Sequence, residues 1–309
     1  MESEPALAGS SPIEAYGALF VPIGGSAFRA TDYCRGPWGP DSLHGGPVVG
    51  LLARSVEQAV RSGIEQTAQA GHELFCARLT VDILGPVPLG VLVSEATVVK
   101  PGRRAVVADG RLLCNGIVVA RASSQWIAQD PAAEPNAQAV PPFPDSVADP
   151  RRNSDFDYPV PGFNCDAAEL RYVVGSHEES GPGTTWIDLR SPLVKDVCNS
   201  PFVVVATVSD LAAAAGWEDT PDGGNYINPD VTLQLARPPR GRWIAVEAKV
   251  HHGGNRAAFM ESILYDRHGP IGRVLQSLIE APAALASKQQ SSKQQSSKQE
   301  SSRQESQLR

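Results

Sequence analysis

A single acidic residue, Asp210, interrupts one of the most apolar stretches of the chain. The stretch runs from Pro201 to Trp217 (PFVVVATVSDLAAAAGW), and Val, Ala and Leu make up most of it. Asn199 and Ser200 can cap a helix and Pro suits a first turn, so the pattern predicts a buried helix. A carboxylate inside such a helix costs free energy unless it is hydrogen-bonded or has a chemical task. Asp210 is therefore the first candidate for a functional residue.

A second candidate lies where the chain enters another predicted helix. Leu43-His44-Gly45-Gly46 precedes a predicted helix, where free backbone N–H groups can stabilise negative charge. Gly46 is the expected donor, because Pro47 has no N–H.

The composition excludes several classes of protein. The chain has 309 residues, of which 42% are hydrophobic and 20% charged, and its net charge of -7 argues against nucleic acid as a partner. No apolar run approaches the roughly 20 residues that span a bilayer, and the first residues, MESEPALAGSSP, lack the pattern of a secretion signal. The five scattered cysteines contain no CxxC pair, which predicts free thiols without zinc or disulfides. We expect a soluble cytoplasmic protein.

The elements that position these residues follow an α+β pattern. Residues 47–63 predict a helix whose apolar positions are occupied by Val and Leu. Residues 74–128 predict four strands joined by turns. Residues 129–160 are rich in Pro, Asp and Ala and predict a linker. Strand, helix and strands then return, which places a helix followed by an antiparallel meander in each half of the chain. The last residues, 285–309, repeat Ser, Lys and Gln and predict disorder.

The second half also repeats the sequence of the first. Residues 79–105 aligned on residues 231–257 give eight identities in 27 positions, among them Thr80 with Thr232 and Glu95 with Glu247. After small insertions, Gln125 aligns with Gln276. The repeat indicates an internal duplication that forms one pseudo-dimer.

These features resemble the double hot-dog fold, and three local matches make the resemblance specific to acyl-CoA thioesterase II. LHGG at 43–46 is similar to the loop that enters the helix of hot-dog acyl-CoA thioesterases, and Ser209-Asp210-Leu211 resembles the SDL of acyl-CoA thioesterase II. Gln276 lies in RVLQSLI, where that family carries its catalytic Gln. The resemblance implies an N-terminal hot-dog repeat at 15–128, a linker at 129–160, a C-terminal repeat at 161–284 and a disordered tail at 285–309.

The resemblance also implies an activity and a site. The reaction would be hydrolysis of a fatty acyl-CoA to the free acid and coenzyme A, with Asp210 as base and with Asn228 and Gln276 holding the water. Asn228 stands where the family has Thr or Ser. His44, Gly45 and Gly46 would bind the substrate and its oxyanion. The expected contacts to the coenzyme A phosphates are Arg237, Arg240 and Arg256. Coenzyme A enters as part of the substrate, no cofactor or metal is implied, and the pseudo-dimer can pair further into a homodimer or a higher homo-oligomer.

Two other functions are compatible with the sequence. A hot-dog dehydratase or hydratase acting on enoyl thioesters would need His44 within reach of Asp210. A non-catalytic acyl-CoA-binding protein would bind without turnover. Ala53 occupies the position at which single-domain HGG thioesterases carry their acid, so we expect one composite site per chain.

Overall fold

A computed structural model describes most of both halves of the chain. The described residues are 17–37, 39, 41–65, 73–129, 139–144, 162–175, 180–216, 218, 220, 226–253 and 257–281. The predicted tail and most of the predicted linker lie outside these ranges, as does Arg256.

Within the ranges given above, the first half contains one long helix and six strands. Their bounds are β1 Phe20–Gly24, β2 Ala27–Ala30, α1 Gly45–Glu65, β3 Leu74–Ile83, β4 Val91–Lys100, β5 Ala105–Cys114 and β6 Ile117–Ala128. The predicted helix and the four predicted strands are present. Alternation of buried and partly exposed residues along β5 and β6 explains why the pattern could be recognised.

The described residues of the second half form seven strands and a segmented helix. Their bounds are β7 Ala168–Val174, β8 Gly183–Leu189, α2 Pro201–Val208, α3 Ala212–Gly216, β9 Tyr226–Ile227, β10 Asp230–Leu235, β11 Trp243–His252, β12 Ala257–Asp266 and β13 Gly269–Glu280. The sequence pattern missed β7, whose residues AELRYVV show little alternation of burial.

The prediction of one continuous helix over 201–217 is wrong in one respect. A 3-10 turn at Ser209–Leu211 separates α2 from α3. Thr207 and Ser209 each donate a side-chain hydrogen bond over 2.7 Å to a backbone carbonyl of the preceding turn. Such bonds compete with the α-helical ladder, so the chain tightens at this point. Ser200 caps α2 as predicted, since its hydroxyl accepts from the Val203 N–H over 3.2 Å.

Within the described residues, all thirteen strands belong to one antiparallel sheet. Twelve follow the order β1-β2-β4-β5-β6-β3-β10-β13-β12-β11-β8-β7, and β9 pairs with β13. The halves join where β3 pairs with β10. There Thr80 lies opposite Thr232, with their hydroxyl oxygens 3.4 Å apart. The two threonines that the sequence repeat aligns are therefore direct neighbours.

The helices pack on the sheet and on each other. α1 contacts β3, β4, β5, β6 and α2, while α3 contacts β8 and β11. The predicted apolar face of α1 is almost fully buried: Val48, Val49, Leu51, Leu52, Val56 and Val60. In the part of the chain that the structure describes, the helices are too short or too polar to cross a membrane.

Candidate functional site

Asp210 lies in the 3-10 turn between α2 and α3 and is only 5% exposed. One of its oxygens, Oδ1, accepts hydrogen bonds from Asn228 Nδ2 over 2.7 Å and from Gln276 Nε2 over 3.2 Å. Because an ionised carboxylate only accepts, both amides turn their NH₂ groups toward it. The structure thus brings together the three residues that the sequence nominated as a set.

Three separate segments deliver these side chains. Asn228 follows the short strand β9, Gln276 points inward from β13, and Asp210 comes from the helical layer above them. Gln276 is 2% exposed, as expected for an inward position in a strand whose neighbours Val274 and Leu278 are also buried. The site therefore forms where the helices meet the sheet.

His44 contacts the second oxygen of the carboxylate. Its Nδ1 lies 3.0 Å from Asp210 Oδ2, and the residue is 8% exposed. The imidazole packs beside the ring of Phe163, with centroids 4.9 Å apart. The backbone N–H of His44 donates to the Cys34 carbonyl over 2.8 Å, which fixes the loop before α1.

The same ring nitrogen has a second neighbour, the backbone nitrogen of Gly46 at 3.0 Å. Nδ1 either carries a proton and donates it or holds a lone pair and accepts, so it serves one neighbour at a time. Two lone pairs facing each other would repel, and an ionised Asp210 therefore needs the proton on His44 Nδ1. In that state the Gly46 N–H is released for another acceptor.

Gly45 and Gly46 allow α1 to approach the second half closely. A Cβ atom on Gly45 would lie 2.8 Å from Asp210 Cγ, and one on Gly46 would lie 2.7 Å from the Thr207 carbonyl oxygen. Both distances are too short for a side chain at an ordinary contact. The glycines are thus required for the contact between His44 and Asp210.

The structure describes two of the three arginines that are expected to contact the coenzyme A phosphates. Arg237 forms a two-pronged ion pair with buried Asp266, at 2.5 and 2.7 Å, and also donates to the Gly269 carbonyl. Its guanidinium thus has structural partners, and its contact with a phosphate stays a prediction. Arg240 is exposed, and its backbone N–H also donates to Asp266. Arg256 lies outside the described residues.

The sequence reasoning missed a buried carboxylate at the contact between the helices. Glu57 on α1 is 7% exposed, accepts a hydrogen bond from Ser200 Oγ over 2.8 Å and pairs with Arg61. Ser200 precedes α2 just as His44 precedes α1, so the start of each helix touches an acid from the helical segment of the other half. The pattern of apolar positions in α1 contained no sign of this contact, because a Glu on an amphipathic helix is normally solvated.

Gln125 does not share the position of Gln276. Along β6 the inward residues are Ser124 and Trp126, which are 0% and 3% exposed, so the intervening Gln125 faces the other side. Ser124 Oγ donates to the Ala108 carbonyl and accepts from Trp126 Nε1. Where β13 of the second half carries the inward carboxamide of Gln276, β6 of the first half thus carries the hydroxyl of Ser124 and the indole of Trp126. Among the described residues, no group of three or more His, Cys, Asp or Glu is arranged to hold a metal ion.

Two family profiles match the sequence. The acyl-CoA thioesterase N-terminal domain matches residues 34–126, and the acyl-CoA thioesterase C-terminal domain matches residues 135–279. Together they span more than two thirds of the chain. The chain belongs to the acyl-CoA thioesterase family. It is accordingly a thioester hydrolase. Comparison of the whole sequence with curated proteins gives no significant match.

Solved structures agree with this assignment at the level of the fold. The TesB protein of Mycobacterium avium subspecies paratuberculosis is 16% identical, with a TM-score of 0.57 over 87% of this chain and 98% of its own. Acyl-CoA thioesterase II TesB2 of Mycobacterium marinum is 15% identical, with a TM-score of 0.55 over 86% and 97%. A hot-dog protein of Alicyclobacillus acidocaldarius is 15% identical, with a TM-score of 0.59 over 84% and 95%. This family member thus has the hot-dog fold.

Proposed function

We propose that this thioesterase hydrolyses fatty acyl-CoA and that Asp210 is its general base. The observation that carries the proposal is the convergence of Asn228, Gln276 and His44 on one buried carboxylate. A buried, fully hydrogen-bonded acid is held in one orientation, which a general base requires.

In the proposed reaction a water molecule attacks the carbonyl carbon of the thioester. Asp210 accepts a proton from that water as the C–O bond forms, and the carbonyl electron pair moves to the oxygen. The electron pair on oxygen then re-forms the carbonyl as the bond to sulfur breaks, and the departing thiolate takes up the proton that Asp210 had accepted. Asn228 and Gln276 hold the carboxylate and are close enough to hydrogen-bond the water as well.

The Gly46 N–H at the start of α1 would stabilise the negative oxygen, while His44 holds Asp210. With a proton on Nδ1, His44 donates to Asp210, and the Gly46 N–H can donate to the oxyanion. The position of Gly46 at the first turn of a 21-residue helix adds the favourable field of the helix dipole. Phe163, which is fully buried beside His44, supports an apolar acyl group at the interface of helix and sheet.

We further propose that the chain is a double hot-dog formed by duplication, with repeats at 15–128 and 161–284. The opposition of Thr80 and Thr232 across β3 and β10 supports an approximate two-fold axis at that point. The reciprocal contacts His44–Asp210 and Ser200–Glu57 support the same axis. A cytoplasmic location is part of the proposal, and it is supported by free thiols at Cys34, Cys76, Cys114 and Cys198.

The test is turnover of saturated acyl-CoAs of increasing chain length, with released coenzyme A measured by a thiol reagent. We expect release that depends on chain length and increases linearly with enzyme concentration. Failure to release coenzyme A from any acyl-CoA, with binding retained, would instead establish an acyl-CoA-binding protein.

The hydratase alternative has one observation in its favour, since His44 does lie within reach of Asp210. An enoyl-CoA substrate separates the two reactions. Hydration removes the absorbance of the conjugated double bond without releasing thiol, whereas hydrolysis releases thiol and leaves the double bond in the product acid.

A further inference from the structure

Three side chains form a hydrogen-bonded chain beside the Asp210 site. His252, the last residue of β11, has its Nε2 2.6 Å from Glu218 Oε2 and its Nδ1 3.2 Å from Tyr226 Oη. The rings of Tyr226 and His252 lie 5.8 Å apart. Neither the proposed general base nor the water-holding amides use this chain.

Glu218 fixes the direction of one of the two hydrogen bonds of His252. Nε2 donates to Glu218, because a carboxylate accepts. When the ring is neutral, Nδ1 holds a lone pair and the Tyr226 hydroxyl donates to it. The oxygen of Tyr226 consequently presents its lone pairs outward, toward a ligand that carries a donor.

Burial and the charges of Glu280 and Glu218 raise the pKa of Tyr226 above its ordinary value. The hydroxyl therefore keeps its proton near neutral pH. A neutral phenol in this position serves as a hydrogen-bonding group and is poorly suited to act as a nucleophile.

The register of β9 places Tyr226 at the rim of the site. Tyr226 pairs with Glu280, the next residue after Gln276 and Leu278 on the inward side of β13. Asn228 follows two residues later and touches Asp210. Two residues of extended chain span about 7 Å, which is the approximate separation of the Cα atoms of Tyr226 and Asn228.

We propose that the Tyr226 oxygen accepts a hydrogen bond from the amide N–H nearest the sulfur in the coenzyme A portion of the substrate. This inference rests on the proposed function. In such a thioester that amide nitrogen lies four bonds from the carbonyl carbon, roughly 5 Å, on the leaving-group side of the reacting bond. The half-exposed His252 and the nearby Glu218 mark the solvent side of the site, where the polar leaving group belongs.

The charge of the rim favours this part of the ligand. Glu218 and Glu280 would repel a phosphate placed directly beside Tyr226. An uncharged amide faces no such repulsion and supplies the donor that the tyrosine oxygen lacks. Tyr226 is thus assigned to selection of the leaving group, whereas Asp210 acts on the carbonyl.

The experiment compares two thioesters of one acyl chain. One carries N-acetylcysteamine, and the other carries 2-mercaptoethyl acetate, in which oxygen replaces that N–H. The variants are Tyr226→Phe and, as a matched control, Tyr265→Phe, whose hydroxyl donates to Glu247 on the opposite part of the sheet. Thiol release gives kcat and KM for each pair.

We expect the wild-type enzyme to prefer the amide thioester by up to about tenfold in kcat/KM, the equivalent of one hydrogen bond. Tyr226→Phe should abolish that preference through a higher KM for the amide thioester alone, and Tyr265→Phe should keep it. Equal losses for both thioesters in Tyr226→Phe, or no preference in the wild-type enzyme, would overturn the assignment while leaving the hydrolase intact. No release from either thioester by the wild-type enzyme would overturn the proposed function as well.

Discussion

At the scale of the residue, the site is defined by the number of hydrogen-bond donors that contact the Asp210 carboxylate. Two carboxamides share Asp210 Oδ1, and an imidazole serves Oδ2. Asn228 replaces the hydroxyl residue that the resemblance leads one to expect, and its longer side chain reaches the carboxylate directly over 2.7 Å. The proposed water-holding role of Asn228 therefore includes holding the base itself.

Substitution of Asn228 by Asp tests this arrangement through pH. The second carboxyl group would lie within hydrogen-bond distance of Asp210, and two like charges at that distance do not both ionise easily. One carboxyl pKa rises, so the base form appears only at higher pH. The acidic limb of the kcat/KM profile should move up by at least about one pH unit. Asn228→Ala should lower activity without that shift, and identical profiles for the two variants would contradict the prediction.

Single residues also show where sequence reasoning succeeds and where it stops. Asp210 was identifiable because an acid in an apolar run is chemically conspicuous. Glu57 was not, because its burial depends on how α1 and α2 pack, which no spacing within α1 encodes. The alignment of Gln125 with Gln276 was wrong by one residue. A shift of one residue moves a strand side chain to the other face of the sheet.

At the scale of the element, the start of α1 must come close to the turn that carries Asp210. Gly45→Ala should push Asp210 away from His44 and lower kcat at least about tenfold, with a loss of stability of about 1–3 kcal/mol from overpacking. Gly63 provides the control in the same helix, because its added Cβ would lie 3.4 Å from Val98 Cγ2.

Gly63→Ala should leave kcat unchanged and stabilise the protein by up to about 1 kcal/mol, since Ala favours the helix. Kinetics and denaturant unfolding of both variants measure the difference. Equal activity of the two variants would show that close approach at Gly45 does not matter.

The hairpin of β12 and β13 depends on the ion pair between Asp266 and Arg237. Burial alone would raise the pKa of Asp266, but hydrogen bonds from Arg237 and from the backbone of Arg240 and His268 lower it below its ordinary value. A depressed acid pKa stabilises the fold above the unfolded value of about 3.9, and this contribution is lost as the pH falls through the lower folded value.

Asp266→Asn should therefore lower the free energy of unfolding by about 3 kcal/mol at neutral pH, and the deficit should shrink below about pH 4. Asp82→Asn is the matched control, since its ion pair with Arg121 is exposed and is worth at most about 1 kcal/mol. A deficit that does not change with pH would rule out the ion pair as its source.

At the scale of the whole molecule, the two halves share a sheet and a helix interface. β3 pairs with β10, and α1 packs on α2, so separation of the halves would expose both a strand edge and an apolar helix face. We expect one unfolding transition in denaturant, with tryptophan fluorescence and far-UV circular dichroism coincident. Two resolved transitions would mean that the halves are stable independently.

The alternation of the strands and the apolar face of α1 made the content of each half predictable. The junction of the halves depends on pairing between residues 152 positions apart, Thr80 and Thr232, and only the repeat in the sequence pointed to it. The route of the segment at 139–144, where the Pro142 carbonyl accepts from Trp186, had no pattern to reveal it.

The reciprocal placement of Asp210 and Glu57 supplies the most direct test of the account. Both are buried acids on packed helices, but only Asp210 has carboxamide partners. Asp210→Asn and Glu57→Gln make the same change of carboxylate to amide at each place, and coenzyme A release from a good acyl-CoA substrate gives kcat for both. The account predicts a loss of at least about 100-fold for Asp210→Asn and turnover near that of the wild-type enzyme for Glu57→Gln. Wild-type turnover by Asp210→Asn would contradict it.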